Sequence, residues 1–184
     1  MHGITKTIQT INGDLLKSNA NFILHQVNCK GVMGAGLALQ VKKQYPFVFS
    51  KYSRKCKAAT NSRDLLGTVQ YIPVKESQTI VNLFAQDGYG RTGQHTSYRA
   101  LISCLEDVNR HTKPSDTIAI PYKIGCGLGG GDWDKVQDII SSILVGRDVT
   151  FYDTGVARDI LPDEHDKKQR TTFKGAYGTR DEFS

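Results

Sequence analysis

A chain of 184 residues, 39 % hydrophobic and 23 % charged, is long enough for one domain with its own core and cramped for two. No run approaches the roughly 18 apolar residues of a membrane span, and Met1 to Lys6 carries no apolar signal segment, so no membrane partner and a cytoplasmic location are expected. The net charge of +6 and pI of about 9.1 favour anionic ligands, but the basic residues are spread along the chain apart from short clusters at 51–57 and 167–170, so charge alone does not choose among nucleic acid, nucleotide and phosphate.

Ile4 to Ile11 alternates as a strand, and Asn12-Gly13 reads as a turn. Phe22 to Val27 is mostly apolar, as expected of a strand buried on both faces. The Gly-rich turn Gly31 to Gly36 follows. Leu37, Val41 and Tyr45 then recur at helical spacing up to Pro46, with a second short helix over 47–57. Thr68 to Val74 and Thr79 to Phe84 read as strands joined by a polar turn at Glu76-Ser77. A polar loop over 86–96 leads into a helix over 97–111, with Leu101, Leu105 and Val108 on one face and His95 expected to cap or solvate its start. Thr117 to Pro121 is a short buried strand running into a second Gly-rich loop, Gly125 to Gly131. A helix over 133–144 sets Trp133, Val136, Ile140 and Ile143 or Leu144 on its core face, and Val149 to Tyr152 is the last strand. Strands alternating with helices predict an α/β domain over 1–152, in which a mixed or mainly parallel sheet is covered by helices on both faces. Over 153–184 the periodicity fades and charges of both signs mix, so a loosely ordered or surface-docked tail is expected.

Cys29, Cys56, Cys104 and Cys126 lie far apart without a CxxC pair, which argues against a metal site or disulfide framework and for free thiols. Cys29 and Cys126 sit in the Gly-rich segments, where a reactive thiol would matter, although the sequence places no histidine to activate either. Both Gly-rich loops follow buried strands and precede helices. Glycine lets backbone N–H groups approach a ligand closely, and a helix start adds partial positive charge, so each loop can cradle a phosphate. One such loop is often no more than a tight turn; two in a small domain suit a diphosphate held between them. Neither matches GxxxxGK[ST], and neither is followed by the acidic residue of a dinucleotide fingerprint, which disfavours an ATPase or a dehydrogenase.

The runs Asn12-Gly13-Asp14-Leu15-Leu16, His25-Gln26-Val27-Asn28-Cys29 and Gly34-Ala35-Gly36-Leu37-Ala38 resemble the first half of a macrodomain. Pro121 to Gly129 resembles its second phosphate loop, so the similarity spans roughly residues 4 to 152. The resemblance implies a three-layer α/β/α fold that binds ADP-ribose. It makes Asp14, with the Leu15 backbone beside it, the acceptor for the adenine amino group, and Asn28 the residue bonding the distal ribose. Gly34, Ala35 and Gly36 become the first loop over the diphosphate, and Gly125, Cys126, Gly127, Leu128 and Gly129 the second. Tyr152 is placed to flank the adenine, although an aromatic there also suits the core.

Family members include hydrolases that remove ADP-ribose from macromolecules, phosphatases of ADP-ribose 1''-phosphate, and readers without catalysis; the fold does not choose among them. The GCGL wording resembles the branch that includes the terminal ADP-ribose glutamate hydrolases. That branch uses a lysine after the central strand and an aspartate after GCGL, where this chain has Gln86 and Gly129. Asp132 and Asp87 are the remaining candidate bases, each with a bland counterpart: a helix cap for Asp132, a solvated loop carboxylate for Asp87. His25 reads as a satisfied core histidine. The expectation is a hydrolase acting at the distal ribose, with Asn28 positioning the sugar and Asp132 or Asp87 orienting water. A non-catalytic reader is the alternative, and a nucleic-acid-binding domain rests on charge alone. The expected partners are ADP-ribose or ADP-ribosylated protein or nucleic acid, with no cofactor or metal and a monomeric state.

Overall fold

The computed structural model describes residue 6 and residues 8–153, and within them six strands and four α-helices form. The strands are β1 (Gln9–Asn12), β2 (Phe22–Asn28), β3 (Val69–Lys75), β4 (Gln78–Gln86), β5 (Thr117–Pro121) and β6 (Asp148–Asp153). The helices are α1 (Gly36–Gln44), α2 (Pro46–Ala58), α3 (Tyr98–His111) and α4 (Trp133–Ile143). The expected tail began at 153, but Asp153 ends β6, paired with Asn12; residues 154–184 and the first residues of the expected opening strand lie outside the described residues. The strand itself runs through Asn12, which pairs with Asp153, so the turn begins at Gly13.

The sheet order is β1-β6-β5-β2-β4-β3. Every neighbouring pair is parallel except β3 with β4, the hairpin closed over Glu76-Ser77. Alternation of side chains along each strand feeds two cores. Leu24, Val81, Leu83, Ile118, Ile120, Val149 and Phe151 pack with α3 and α4 on one face. Ile23, Ile80 and Ala119 pack with Val41, Tyr45 and Val48 of α1 and α2 on the other. Central strands coated on both faces must be apolar at successive positions, which is why β2 and β4 read as continuous hydrophobic runs. By the same alternation His25 and Asn82 face the α1–α2 layer. Both are buried, with His25 Nε2 2.5 Å from Asn82 Oδ1 and Asn82 Nδ2 donating to Gln70 Oε1 at 3.0 Å.

Tyr45 closes α1, and Pro46 opens α2 at its first turn, where its missing N–H costs nothing. The start of α3 corrects one expectation. Ser97, not His95, caps the helix, its Oγ accepting the Ala100 amide at 3.2 Å. The His95 ring instead packs under the preceding loop against Gly88 and Gly90. Because β1, β2, β4, β5 and β6 share one direction, the segments that follow them all emerge at one edge of the sheet. None of the helices among the described residues is long and apolar enough to cross a membrane.

Candidate functional site

The strand order sets out that edge from left to right: Asp14 after β1 and Tyr152 near the end of β6, then the loop after β5, the loop after β2, and Asp87 after β4. The two Gly-rich loops therefore leave adjacent parallel strands on the same side of the molecule, as a shared ligand requires.

At the β1 end, Asp14 caps a short 3-10 turn over Leu15–Lys17, its Oδ1 accepting the Leu16 amide at 2.9 Å. Leu15 and Leu16 are buried, so the turn is anchored and the carboxylate faces out from a fixed backbone. The Tyr152 ring lies against Gly13, 3.7 Å from where a side chain would begin, which brings the two candidate adenine contacts together.

The second loop is held from below by a polar network that the motifs gave no sign of. Thr96 Oγ1 donates to the Gly125 carbonyl at 2.7 Å and accepts from Gln26 Nε2 at 2.8 Å. Gln26 Nε2 also donates to Gln86 Oε1 at 2.8 Å, and Gln86 Nε2 donates to the Gly88 carbonyl at 2.8 Å. The amides of His95 and Thr96 donate to the Gly129 carbonyl. This closeness explains two glycines. Gly125 has φ +73° and would put a side chain 2.7 Å from Gln26 Oε1, while one on Gly129 would collide with Thr96 Oγ1 and the Gly125 carbonyl. With the carbonyls turned inward, the amides of Gly127, Leu128 and Gly129 have no acceptor among the described residues. The amides of Gly34, Ala35, Gly36 and Leu37, at the start of α1, are likewise unpaired among them. Two sets of free donors on neighbouring loops make a cradle for an anion.

Asn28 organises the first loop. Its Oδ1 accepts the amides of Lys30 at 3.0 Å and Val32 at 3.3 Å, and its Nδ2 donates to the Val32 carbonyl at 2.7 Å. The buried Tyr52 hydroxyl of α2 lies 2.8 Å from both Asn28 Oδ1 and the Asn28 carbonyl. The second Nδ2 proton has no acceptor among the described residues.

Beyond β4, the Cys29 amide bonds the Gln86 and Asp87 carbonyls, which sets Asp87 beside the first loop. Its carboxylate makes ion pairs of 3.2 Å with both Lys30 and Arg63. Burial pushes this carboxyl up, but the hydrogen bonds and positive charges of Lys30 and Arg63 outweigh burial and hold it below the usual carboxylate range. Asp132 lies on the far side of the second loop as the cap of α4, its Oδ1 accepting the amides of Asp134 at 3.0 Å and Lys135 at 3.4 Å. The thiols are not activated: burial, followed by the Asp87 charge, raises Cys29 to about 11, and burial with Asp132 raises Cys126 equally.

A family model for the macro domain matches residues 24–140, from β2 into α4. This chain belongs to the macro domain family. It is 31 % identical over 133 residues to a DNA ADP-ribosyl glycohydrolase of Mycobacterium tuberculosis, a match covering 71 % of this chain and 37 % of that protein. The chain therefore spans little more than a third of that relative. It is 37 % identical over 95 residues to an ADP-ribose 1''-phosphate phosphatase of Meyerozyma guilliermondii, covering 44 % of this chain and 54 % of the other. The solved macrodomain of Mycobacterium tuberculosis DarG superposes with a TM-score of 0.67 at 28 % identity, covering 79 % of this chain and 97 % of that one. Gln86, which the resemblance set at the lysine of the terminal ADP-ribose glutamate hydrolase branch, is a neutral amide with both ends already bonded, and Gly129, set at that branch's aspartate, is buried. Sequence reasoning missed Lys30 and Arg63 as partners of Asp87, and Gln26, Thr96 and Tyr52 as supports. They come from separate segments, and only the folded edge brings them together.

Proposed function

We propose that this macrodomain binds ADP-ribose along the carboxyl edge of its sheet and hydrolyses the bond that joins the distal ribose to a modified macromolecule. Asp14 and Tyr152 take the adenine, the two amide cradles take the diphosphate, and Asn28 meets the distal ribose. The observation that carries this reading is the order of strands, which lays donors and carboxylates in the sequence of the ligand's own parts. Of the two candidate bases, Asp87 fits better. It is held by Lys30 and Arg63 beside the Asn28 loop, where the distal ribose is placed, whereas Asp132 follows the second loop as the cap of α4. Asp87 orients the water, and Lys30 and Arg63 fix its carboxylate in place beside the first loop.

One feature favours a reader instead: Gln86 and Gly129 occupy the positions that the resemblance matched to the catalytic lysine and aspartate of the terminal ADP-ribose glutamate hydrolase branch. Turnover separates the two. The protein is incubated with an ADP-ribosylated oligonucleotide, an ADP-ribosylated peptide and ADP-ribose 1''-phosphate, and released ADP-ribose or phosphate is measured. Release from a macromolecule is expected, and Asp87→Asn is expected to lower kcat by at least about 100-fold, in the range for loss of a general base, with ADP-ribose affinity kept. Binding without release from any substrate makes the protein a reader; no binding of ADP-ribose overturns the site itself.

A further inference from the structure

Between Leu15 and Arg63 the chain carries nine lysines and arginines and not one aspartate or glutamate. Clusters that look dispersed along the sequence thus fall into a single layer, because this stretch supplies α1, α2 and the first loop. The opposite layer is different: on α3, Arg99 and Arg110 balance Glu106 and Asp107, and α4 sets Lys135 against Asp134, Asp138 and its cap Asp132. The excess positive charge of the molecule is therefore one-sided.

It is also patterned. On α2, Phe47, Lys51 and Arg54 follow one another at helical spacing along an exposed stripe, with Lys57 beside them at the end of the helix. Phe47 is 43 % exposed, unusual for its type. Lys51, Arg54 and Lys57 have no ion-pair partner among the described residues. The stripe leads to the site: Ser53 and Cys56 pack against Gly31, the Lys55 ammonium lies 5.6 Å from the Phe84 ring near the end of β4, and Lys30 and Arg63 continue the basic rim to Asp87. Beyond Asp87, Tyr89 is 56 % exposed on the loop that follows β4, with Arg91 exposed two residues on.

The structure assigns the α2 face to the sugar-phosphate backbone of a single-stranded nucleic acid that enters the ADP-ribose site past Arg63 and Tyr89. Unpaired cations spaced over about 9 Å of helix match repeated phosphates, and exposed aromatics among them give bases a surface for stacking. A single strand is the form favoured, since Phe47 and Tyr89 can stack only on unpaired bases. This deepens the proposed function, because it makes the macromolecule bearing ADP-ribose a nucleic acid, and it is testable apart from catalysis.

The test uses the full chain and an unmodified fluorescent single-stranded oligonucleotide, with anisotropy read between 50 and 200 mM salt. The combined variant K51Q/R54Q/K57Q changes exposed side chains only. It is expected to bind at least about tenfold more weakly, with the log–log salt slope reduced by about 2, near 0.7 for each single-strand phosphate that is no longer neutralised. Tyr89→Ala is expected to weaken binding about tenfold while keeping the wild-type salt slope, as stacking predicts. Calorimetry should show unchanged affinity of both variants for free ADP-ribose, which separates this proposal from the ADP-ribose site. An unaltered oligonucleotide affinity in the triple variant overturns the assignment. So does equally tight binding of polyglutamate, which would give the surface to acidic protein, or a clear preference for duplex.

Discussion

Asp14 commits one carboxylate oxygen to its own chain and leaves the other outward. Oδ1 accepts the Leu16 amide, while Oδ2 has only the exposed Lys17 ammonium at 3.9 Å, an ion pair worth little in water. An adenine amino group placed there gains a charged acceptor on a rigid turn. Asp14→Ala is expected to lower ADP-ribose affinity about tenfold, the loss of about one such hydrogen bond. The sharper measurement compares ADP-ribose with its hypoxanthine analogue, whose ring oxygen cannot donate. Wild type should prefer adenine and the variant should not; a preference that survives in Asp14→Ala removes the residue from the site. The lost cap would cost about 1 kcal/mol and would register separately in unfolding. The Asp14 cap was legible because it is local, one residue on one turn. Asp87 was visible only as a loop carboxylate, since the partners that fix it, Lys30 and Arg63, stand 57 and 24 residues away in the chain.

Strands and helices were more legible than their joints. Continuous apolar runs marked β2, β4 and β5 because both sheet faces are covered, and 3.6-residue periodicity marked α3 and α4 because each has one buried face. The polar members of β2 and β4 carried no such signal. His25 and Asn82 interrupt the apolar runs, and their pairing depends on the register that puts them side by side. Burial drives the His25 imidazole down to about 4, partly opposed by the bond to Asn82. A histidine titrating near 6.5 when unfolded and near 4 when folded leaves the unfolded chain binding more protons between those values. This contribution is fully present above pH 6.5 and is lost as pH falls toward 4. At pH 5 the loss amounts to about 2 kcal/mol relative to pH 7.5. Urea unfolding at the two pH values should show that much more acid sensitivity in wild type than in His25→Gln, which retains a donor for Asn82. Equal acid sensitivity in the two proteins would mean that His25 accepts a proton in place.

At the scale of the molecule the decisive feature is strand order, which no local pattern encodes. Alternating elements implied a mixed sheet, but that β5 lies directly beside β2, and β6 between β5 and β1, follows from long-range pairing alone. That order sets the two glycine loops side by side. It also yields a measurement that does not depend on catalysis. In the free protein the amides of 34–37 and 127–128 have no acceptor among the described residues and are not buried, so they should exchange their hydrogens rapidly. A diphosphate spanning the cradles accepts from both at once, so saturating ADP-ribose should slow exchange in the two segments together and with the same concentration dependence. Adenosine, which has the base and one ribose but no phosphate, should protect neither. Protection of one segment alone by ADP-ribose would mean that the loops act separately, and the edge would then be two unrelated turns that happen to share a side of the sheet.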